Sequence, residues 1–314
     1  MNLFKSKIAK FLVKLIISLT FITWLILKIN WQDVLAHCRQ LTVVSIVVYL
    51  VILLIGMVIS AYKWQLLAEF KDFNYSLKKY FQLYLTGTFL NNFFPSFIGG
   101  DTYRAYQLGK KNGRYVSATA SVVMDRVTGL LGAMILAVFF AAFNWKVVAA
   151  HRVLVIIIGI VILVLMGLFV GELIANLPIW KKLSRFIPKK VSEVIKDFAQ
   201  YQGSKAFSTS IAIGVLYSFV GLACVNYALF WALGIKIGIL NYLTVIFLIS
   251  IVSSIPVSVN NLGIKEWAYV TFFGFFGVAS SAVVTVALVS RILQMLVSFA
   301  ALPMYLNSRK NIDK

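Results

Sequence analysis

Continuous apolar runs of about 20 residues, free of strand-like alternation, dominate the chain; they lie at about 11–29, 41–61, 117–142, 153–171, 208–232 and 281–306. A helix rises about 1.5 Å per residue, so each run is long enough to cross a hydrocarbon core of about 30 Å. A membrane β-barrel is excluded, because its strands would alternate apolar and polar positions. Two further apolar regions, about 80–109 and 241–278, are interrupted by Pro, Gly and Asn. The pattern predicts an all-α polytopic membrane protein with about six full transmembrane helices plus two Pro/Gly-broken re-entrant segments in inverted halves. It is expected to form one integral membrane domain, 1–314, with a first half 1–171, a cytoplasmic basic loop 172–207 and a second half 208–314. Any chemistry then falls to the membrane part itself.

Composition excludes a water-soluble globule. Of 314 residues, 61% are hydrophobic and 13% charged, against about 45–50% and about 25% in soluble domains. The formal net charge is +20. A basic nucleic-acid-binding domain would concentrate such charge with base-stacking aromatics, whereas here it lines loops, so no nucleic acid partner is expected. The N-terminus, the 62–79, 100–116 and 172–207 loops and the C-terminus hold 21 of the 30 Lys and Arg; the opposite loops hold Lys28, Arg39, Lys146, Arg152 and Lys236. Positive charge stays cytoplasmic. Both termini are therefore expected on the cytoplasmic side, with the first broken segment entering from that side and the second from the other. Val191, Val194, Ile195, Phe198 and Tyr201 recur at helical spacing, which suits an amphipathic helix either on anionic lipid or docked on the protein's own spans.

Candidate chemistry outside the broken segments is sparse. Cys38 and Cys224 form no framework, and His37 and His151 lack metal-ligand spacing, so no metal, cofactor or catalytic residue is assigned. The N-terminal apolar run is too long for a signal peptide and lacks a small-x-small cleavage site, which makes it a retained span.

The two interrupted regions resemble each other. The first reads Asn91-Asn92-Phe93-Phe94-Pro95-Ser96-Phe97-Ile98-Gly99-Gly100-Asp101-Thr102-Tyr103-Arg104, the second Ile255-Pro256-Val257-Ser258-Val259-Asn260-Asn261-Leu262-Gly263-Ile264-Lys265-Glu266. Each has an early proline, then glycine and a charged pair, and each precedes a span carrying one arginine, Arg126 or Arg291. Corresponding broken segments in inverted halves point to a transporter's substrate site, because unpaired backbone survives at membrane depth only against protein, water or ligand.

A charge at the bilayer centre costs on the order of 2.5–3.5 kcal/mol on insertion scales. Asp125 and Arg126 are adjacent and point about 100° apart on a helix, so each needs a partner elsewhere, with Arg291 and Glu266 the expected ones. One outcome is a buried salt-bridge network that fixes packing; the other is a polar cavity whose arginines hold a lipid phosphate. Asp101 and Arg104 share a face if 100–109 is helical. Asn91, Asn92, Asn260 and Asn261 serve either as turn formers or as head-group donors. Gly99, Gly100 and Gly263 are read as permitting tight backbone turns rather than phosphate contacts, and Pro95 and Pro256 as shaping the backbone with them.

At these residues the chain resembles the transmembrane-region family of lysylphosphatidylglycerol synthase, flippase-like integral membrane proteins. Asn91-Asn92-Phe93-Phe94-Pro95 through Gly99-Gly100-Asp101 to Arg104 is similar to the family's N-N-x-x-P…G-G-D-x-x-R block. Asp125-Arg126-Val127-Thr128-Gly129-Leu130 is similar to D-R-x-x-G-L, and Pro256 to Glu266 to P-x-S-x-N-G-x-G-x-R-E. In the last block Asn261 replaces the usual glycine and Lys265 the usual arginine, which keeps the charge but loses bidentate geometry. Full-length members carry a following cytoplasmic aminoacyltransferase domain, and this chain is expected to be a stand-alone member without it. The resemblance implies a protein of the bacterial inner membrane that moves a polar lipid, aminoacylated, glycosylated or polyprenyl-linked, between leaflets. The substrate-binding candidates are Asn91, Asn92, Asp101, Arg104, Asp125, Arg126, Asn260, Lys265, Glu266 and Arg291. The partner is then a membrane phospholipid or glycolipid, with a lipid-modifying enzyme as a second candidate. Two rival functions stay open: a lipid-modifying transferase using Asp101 or Glu266 as general base, and a membrane anchor for a cytoplasmic synthase.

Overall fold

The computed structural model describes residues 7–94, 98–174, 200–201, 203–255 and 258–310. Among them there are helices and no strands. In chain order these are α1 Lys7–Lys28, α2 Trp31–Gln40, α3 Val43–Glu69, α4 Leu77–Asn91, α5 Ile98–Gly109, α6 Tyr115–Phe143, α7 Trp145–Ala150 and α8 Arg152–Ile174. They continue with α9 Lys205–Tyr217, a π-helical turn Ser218–Cys224, α10 Val225–Ala232, α11 Ile239–Ser254, α12 Ile264–Gly274, α13 Ser280–Ser298 and α14 Leu302–Lys310.

Four helical segments are long and apolar enough to cross a membrane: Val43–Glu69, Tyr115–Phe143, Lys205–Ala232 and Ser280–Leu306. The pair Leu12–Lys28 and Trp31–Gln40 meets the same length and composition only when taken together, and it is bent by 84° between its halves, as a broken span or a re-entrant loop is. Six full spans were expected. The 153–171 run is helical, as α8, but its described side chains reach only to Gly167, which leaves Arg152–Gly167 among the shorter apolar helices.

α3 is the central strut. Its start is fixed by a capping box in which Thr42 Oγ1 accepts from Ser45 N (3.2 Å) and Ser45 Oγ from Thr42 N (3.1 Å), two orphan donors satisfied at once. Val47, Val51, Leu54 and Val58 are exposed along one stripe, the side an apolar helix turns to acyl chains, while Tyr49, Leu53, Met57, Ala61 and Trp64 are buried inside. The α9–α10 segment runs antiparallel to it: Lys63 lies over the Tyr217 ring, and a Cβ on Gly56 would sit 2.7 Å from Gly221 Cα. Small residues let two backbones approach this closely, and Gly221 lies in the π-helical turn.

Both interrupted regions fold as antiparallel helical hairpins. In the first, α4 and α5 touch backbone to backbone, so that a Cβ on Gly100 would stand 2.0 Å from Gly87 O. Its open end meets the C-terminal end of α3 through Tyr80, which packs on Trp64 (5.0 Å between rings) and donates its hydroxyl to Phe73 O. The second, α11 and α12, has its open end at Tyr242 and Phe273, stacked at 5.9 Å and both packed on Phe230 of α10. Since α10 follows the antiparallel α9, that end lies toward the N-terminus of α3. The hairpins therefore open toward opposite ends of the strut.

Two expectations need correcting here. Gly99 and Gly100 are not in a turn but inside α5; Gly100 is glycine because α4 passes too close for a side chain. And α3 runs on to Glu69, so Lys63, expected in the 62–79 loop, is a buried helix residue, 2% exposed. Within the 172–207 loop, Tyr201 is fully buried and donates to Leu67 O at 2.8 Å, docked on the bundle. Val191, Val194, Ile195 and Phe198 lie outside the described residues, as do Pro95 and Pro256.

Candidate functional site

The charged residues of the first hairpin form one chain of contacts across α3, α5 and α6. Lys63 Nζ lies 3.2 Å from Asp125 Oδ1 and donates to the main-chain carbonyl of Asp125 at 2.5 Å. Asp125 Oδ2 accepts from Arg104 at 2.8 Å. Arg104 also lies 3.4 Å from Asp101 Oδ1, confirming that α5 puts the two on one face. Arg126 grips Asp101 with two hydrogen bonds of 2.9 Å each, the bidentate fork that matches a carboxylate. The Arg104 guanidinium is sandwiched by Trp64 at 4.0 Å and Tyr84 at 4.9 Å, cation–π contacts that help a desolvated cation. Gly129, from the D-R-x-x-G-L block, explains how Lys63 fits: a Cβ there would sit 2.8 Å from its Nζ.

The chain alternates in sign and is graded in exposure. Lys63, Asp125 and Arg104 are 2–3% exposed, Asp101 21% and Arg126 48%. Among the described residues three cations meet two carboxylates, an excess of one positive charge, and the most exposed member of the chain is the Arg126 guanidinium.

A second cluster repeats this on α12 and α13. Glu266 is 2% exposed and accepts from Arg291 at 2.9 and 3.2 Å; its other oxygen accepts from Gly263 N at 2.9 Å, closing the start of α12. Gly263 has φ +83°, a conformation glycine adopts without strain, and so does shape a turn. Lys265 Nζ donates to Ser290 Oγ at 3.0 Å. Arg291, 24% exposed, further donates to the carbonyls of Asn260 and Asn261 at 3.1 and 3.2 Å. Two cations here meet one carboxylate, again a surplus of one. The acid and its arginine are 25 residues apart in both clusters, Asp101 to Arg126 and Glu266 to Arg291. That equal spacing is readable in the sequence and marks the repeat.

The expected pairing of Asp125 and Arg126 with Glu266 and Arg291 does not occur; each cluster closes within its own half. The reason is depth. Tyr49 donates to Ser290 O at 3.1 Å beside the second cluster, whereas Lys63 belongs to the first. Fourteen residues of α3 separate them, about 21 Å along the axis.

The asparagines are mostly structural. Asn91 Oδ1 accepts from Gly100 N at 2.8 Å, tying α4 to α5. Asn261 Nδ2 donates to Ser253 O, tying the second hairpin likewise, and Asn260 and Asn261 both have positive φ, +48° and +54°. Asn92 Nδ2 donates to Ser298 Oγ at 2.7 Å, joining the tip of the first hairpin to α13. His37 lies within α2 and His151 at the start of α8, its Nδ1 3.0 Å from Val147 O. Among the described residues no group of three His, Cys, Asp or Glu gathers as a metal site. Lys63 is the site residue that sequence reasoning missed; its hint is that helical periodicity continues past the apolar run.

An all-helical bundle with exposed apolar stripes, two opposed hairpins and intramembrane ion clusters defines a multi-pass membrane protein. The family described as the lysylphosphatidylglycerol synthase TM region matches residues 11–301, and the chain belongs to it. Curated relatives are archaeal proteins named UPF0104 membrane proteins. One from Methanocaldococcus jannaschii is 24% identical, covering 92% of this chain and 91% of its own. One from Methanothermobacter thermautotrophicus is 23% identical over 96% and 98%, and one from Pyrococcus horikoshii 26% identical over 76% and 79%.

Proposed function

We propose that the protein is a lipid translocase, moving a polar phospholipid, aminoacylated or glycosylated in the family's manner, between the leaflets of the cytoplasmic membrane, with both termini on the cytoplasmic side. The observation that carries this reading is the pair of clusters toward opposite ends of α3, each with more cations than carboxylates among the described residues and each with a partly exposed arginine. A phosphodiester is the ligand such a site suits, since guanidinium binds phosphate oxygens in bidentate fashion. Placing one such group toward each end of the hydrophobic span offers a phosphate favourable stations along a path that otherwise costs several kcal/mol. Arg126 and Arg291 contact the phosphate directly; Asp101 and Glu266 hold them in place, and Lys63, Asp125 and Arg104 fix Asp101 from behind. In this reading each hairpin enters the membrane from its own side and does not cross it.

Reconstitution tests the function. Proteoliposomes carrying a fluorescent phosphatidylglycerol in both leaflets should show the inner-leaflet fraction becoming accessible to a membrane-impermeant quencher faster than in protein-free liposomes. No acceleration with any anionic, aminoacylated or glycosylated lipid would rule the translocase out, and consumption of the lipid would make it a transferase.

A further inference from the structure

The open end of the first hairpin holds a basic feature that neither cluster uses. A cleft of about 400 Å³ lies there between the start of α4 and the end of α5, walled by Lys79, Gln107, Lys110 and Lys111. Its floor is Leu83 and Leu108, both buried, and Tyr75 stands at the rim. Among the described residues, the polar side chains facing it are thus three ammonium groups, one amide and one phenol, with no carboxylate. Of the described carboxylates at this end of α3, Glu69 accepts from Gln65 at 2.6 Å and Asp72 lies 3.6 Å from Arg114; neither lines the cleft. Lys110 directly follows α5, six residues beyond Arg104 and about 9 Å toward the hairpin mouth, so the cleft stands apart from the ion cluster.

We propose that this cleft is a phosphate-binding site, taking the head group of an anionic phospholipid or a free phosphate anion. Lysines gathered around one cleft concentrate positive potential that attracts an anionic head group or membrane surface. The donors at the rim satisfy phosphate oxygens, and the leucine floor receives the glycerol side of a head group, an amphipathic division that long lysine side chains suit. The site does not depend on translocation: it anchors the mouth of the hairpin whether or not lipid moves through the protein.

Native mass spectrometry of the full chain in detergent, with phosphatidylglycerol, phosphatidylcholine or inorganic phosphate added in turn, tests it. The variant is Lys79→Gln/Lys110→Gln/Lys111→Gln. Its control is Lys146→Gln/Arg152→Gln/Lys236→Gln, which removes the same charge from the other end of the bundle. Adducts of phosphatidylglycerol or of phosphate, at least tenfold weaker in the cleft variant than in the control and regained in Lys79→Arg/Lys110→Arg/Lys111→Arg, support the site. Whichever ligand gives the adduct names its source. Equal retention by the two glutamine variants, or retention of phosphatidylcholine as strong as of phosphatidylglycerol with no phosphate adduct, overturns it. Matching thermal midpoints for the glutamine variants establish that the comparison is between folded proteins.

Discussion

Removing the carboxylate of Asp125 strands two buried cations at once, because Lys63 and Arg104 both lean on it. Asp125→Ala is expected to cost about 3–5 kcal/mol, the range for breaking a buried pair, seen as a lower thermal midpoint in detergent. Gly263→Ala is also expected to destabilise, by about 1–3 kcal/mol, since an L-residue is strained at φ +83° and its Cβ would meet Phe21 Cβ at 2.4 Å. Gly159→Ala, inside α8 with nothing within 4 Å of the added carbon, should not lower the midpoint, since alanine favours the helix over glycine. At this scale the sequence was partly legible. Asp101, Arg104, Asp125 and Arg126 stood out as charges within apolar surroundings. Lys63 did not, because a lysine just past an apolar run reads as a loop charge under the positive-inside rule. Nor did the partners: Arg104 and Asp125 are 21 residues apart on different helices, and only packing brings them together.

The hairpins are the elements on which the site depends, and their closeness is testable. Gly100→Ala places a methyl group 2.0 Å from Gly87 O, and backbone cannot yield as a flexible side chain would. It should force α4 and α5 apart at a cost of about 1–3 kcal/mol and displace Asp101 and Arg104 with them, lowering the midpoint. The broken segments were legible from Pro, Gly and Asn within apolar runs, and the repeat from its motif. The division of labour among the asparagines was not, since a side chain that closes a hairpin and one that meets a ligand need the same chemistry. Their opposed openings predict a labelling pattern. In a Cys38→Ser/Cys224→Ser background, Asn112→Cys and Lys236→Cys should react with an impermeant maleimide from opposite sides of sealed vesicles. Labelling of both from one side would contradict the inverted arrangement.

For the whole molecule, the two clusters matter because they are separate. Each closes its own ion network, and the α3 residues that touch them, Tyr49 and Lys63, lie about 21 Å apart along the helix, so neither neutralises the other and, among the described residues, each has more cations than carboxylates. The sequence suggested two related halves, but it placed the compensating charges across them, because adjacency in sequence says nothing about depth in a bundle. The most direct measurement is lipid translocation by Arg126→Ala and Arg291→Ala in proteoliposomes, each variant first shown to be monodisperse with a wild-type helical spectrum. If arginine ends carry the phosphate, each substitution should slow movement of an anionic lipid at least tenfold, with lysine at the same position restoring part of the rate. Both alanine variants moving lipid at the wild-type rate would contradict the account and leave the clusters as packing devices.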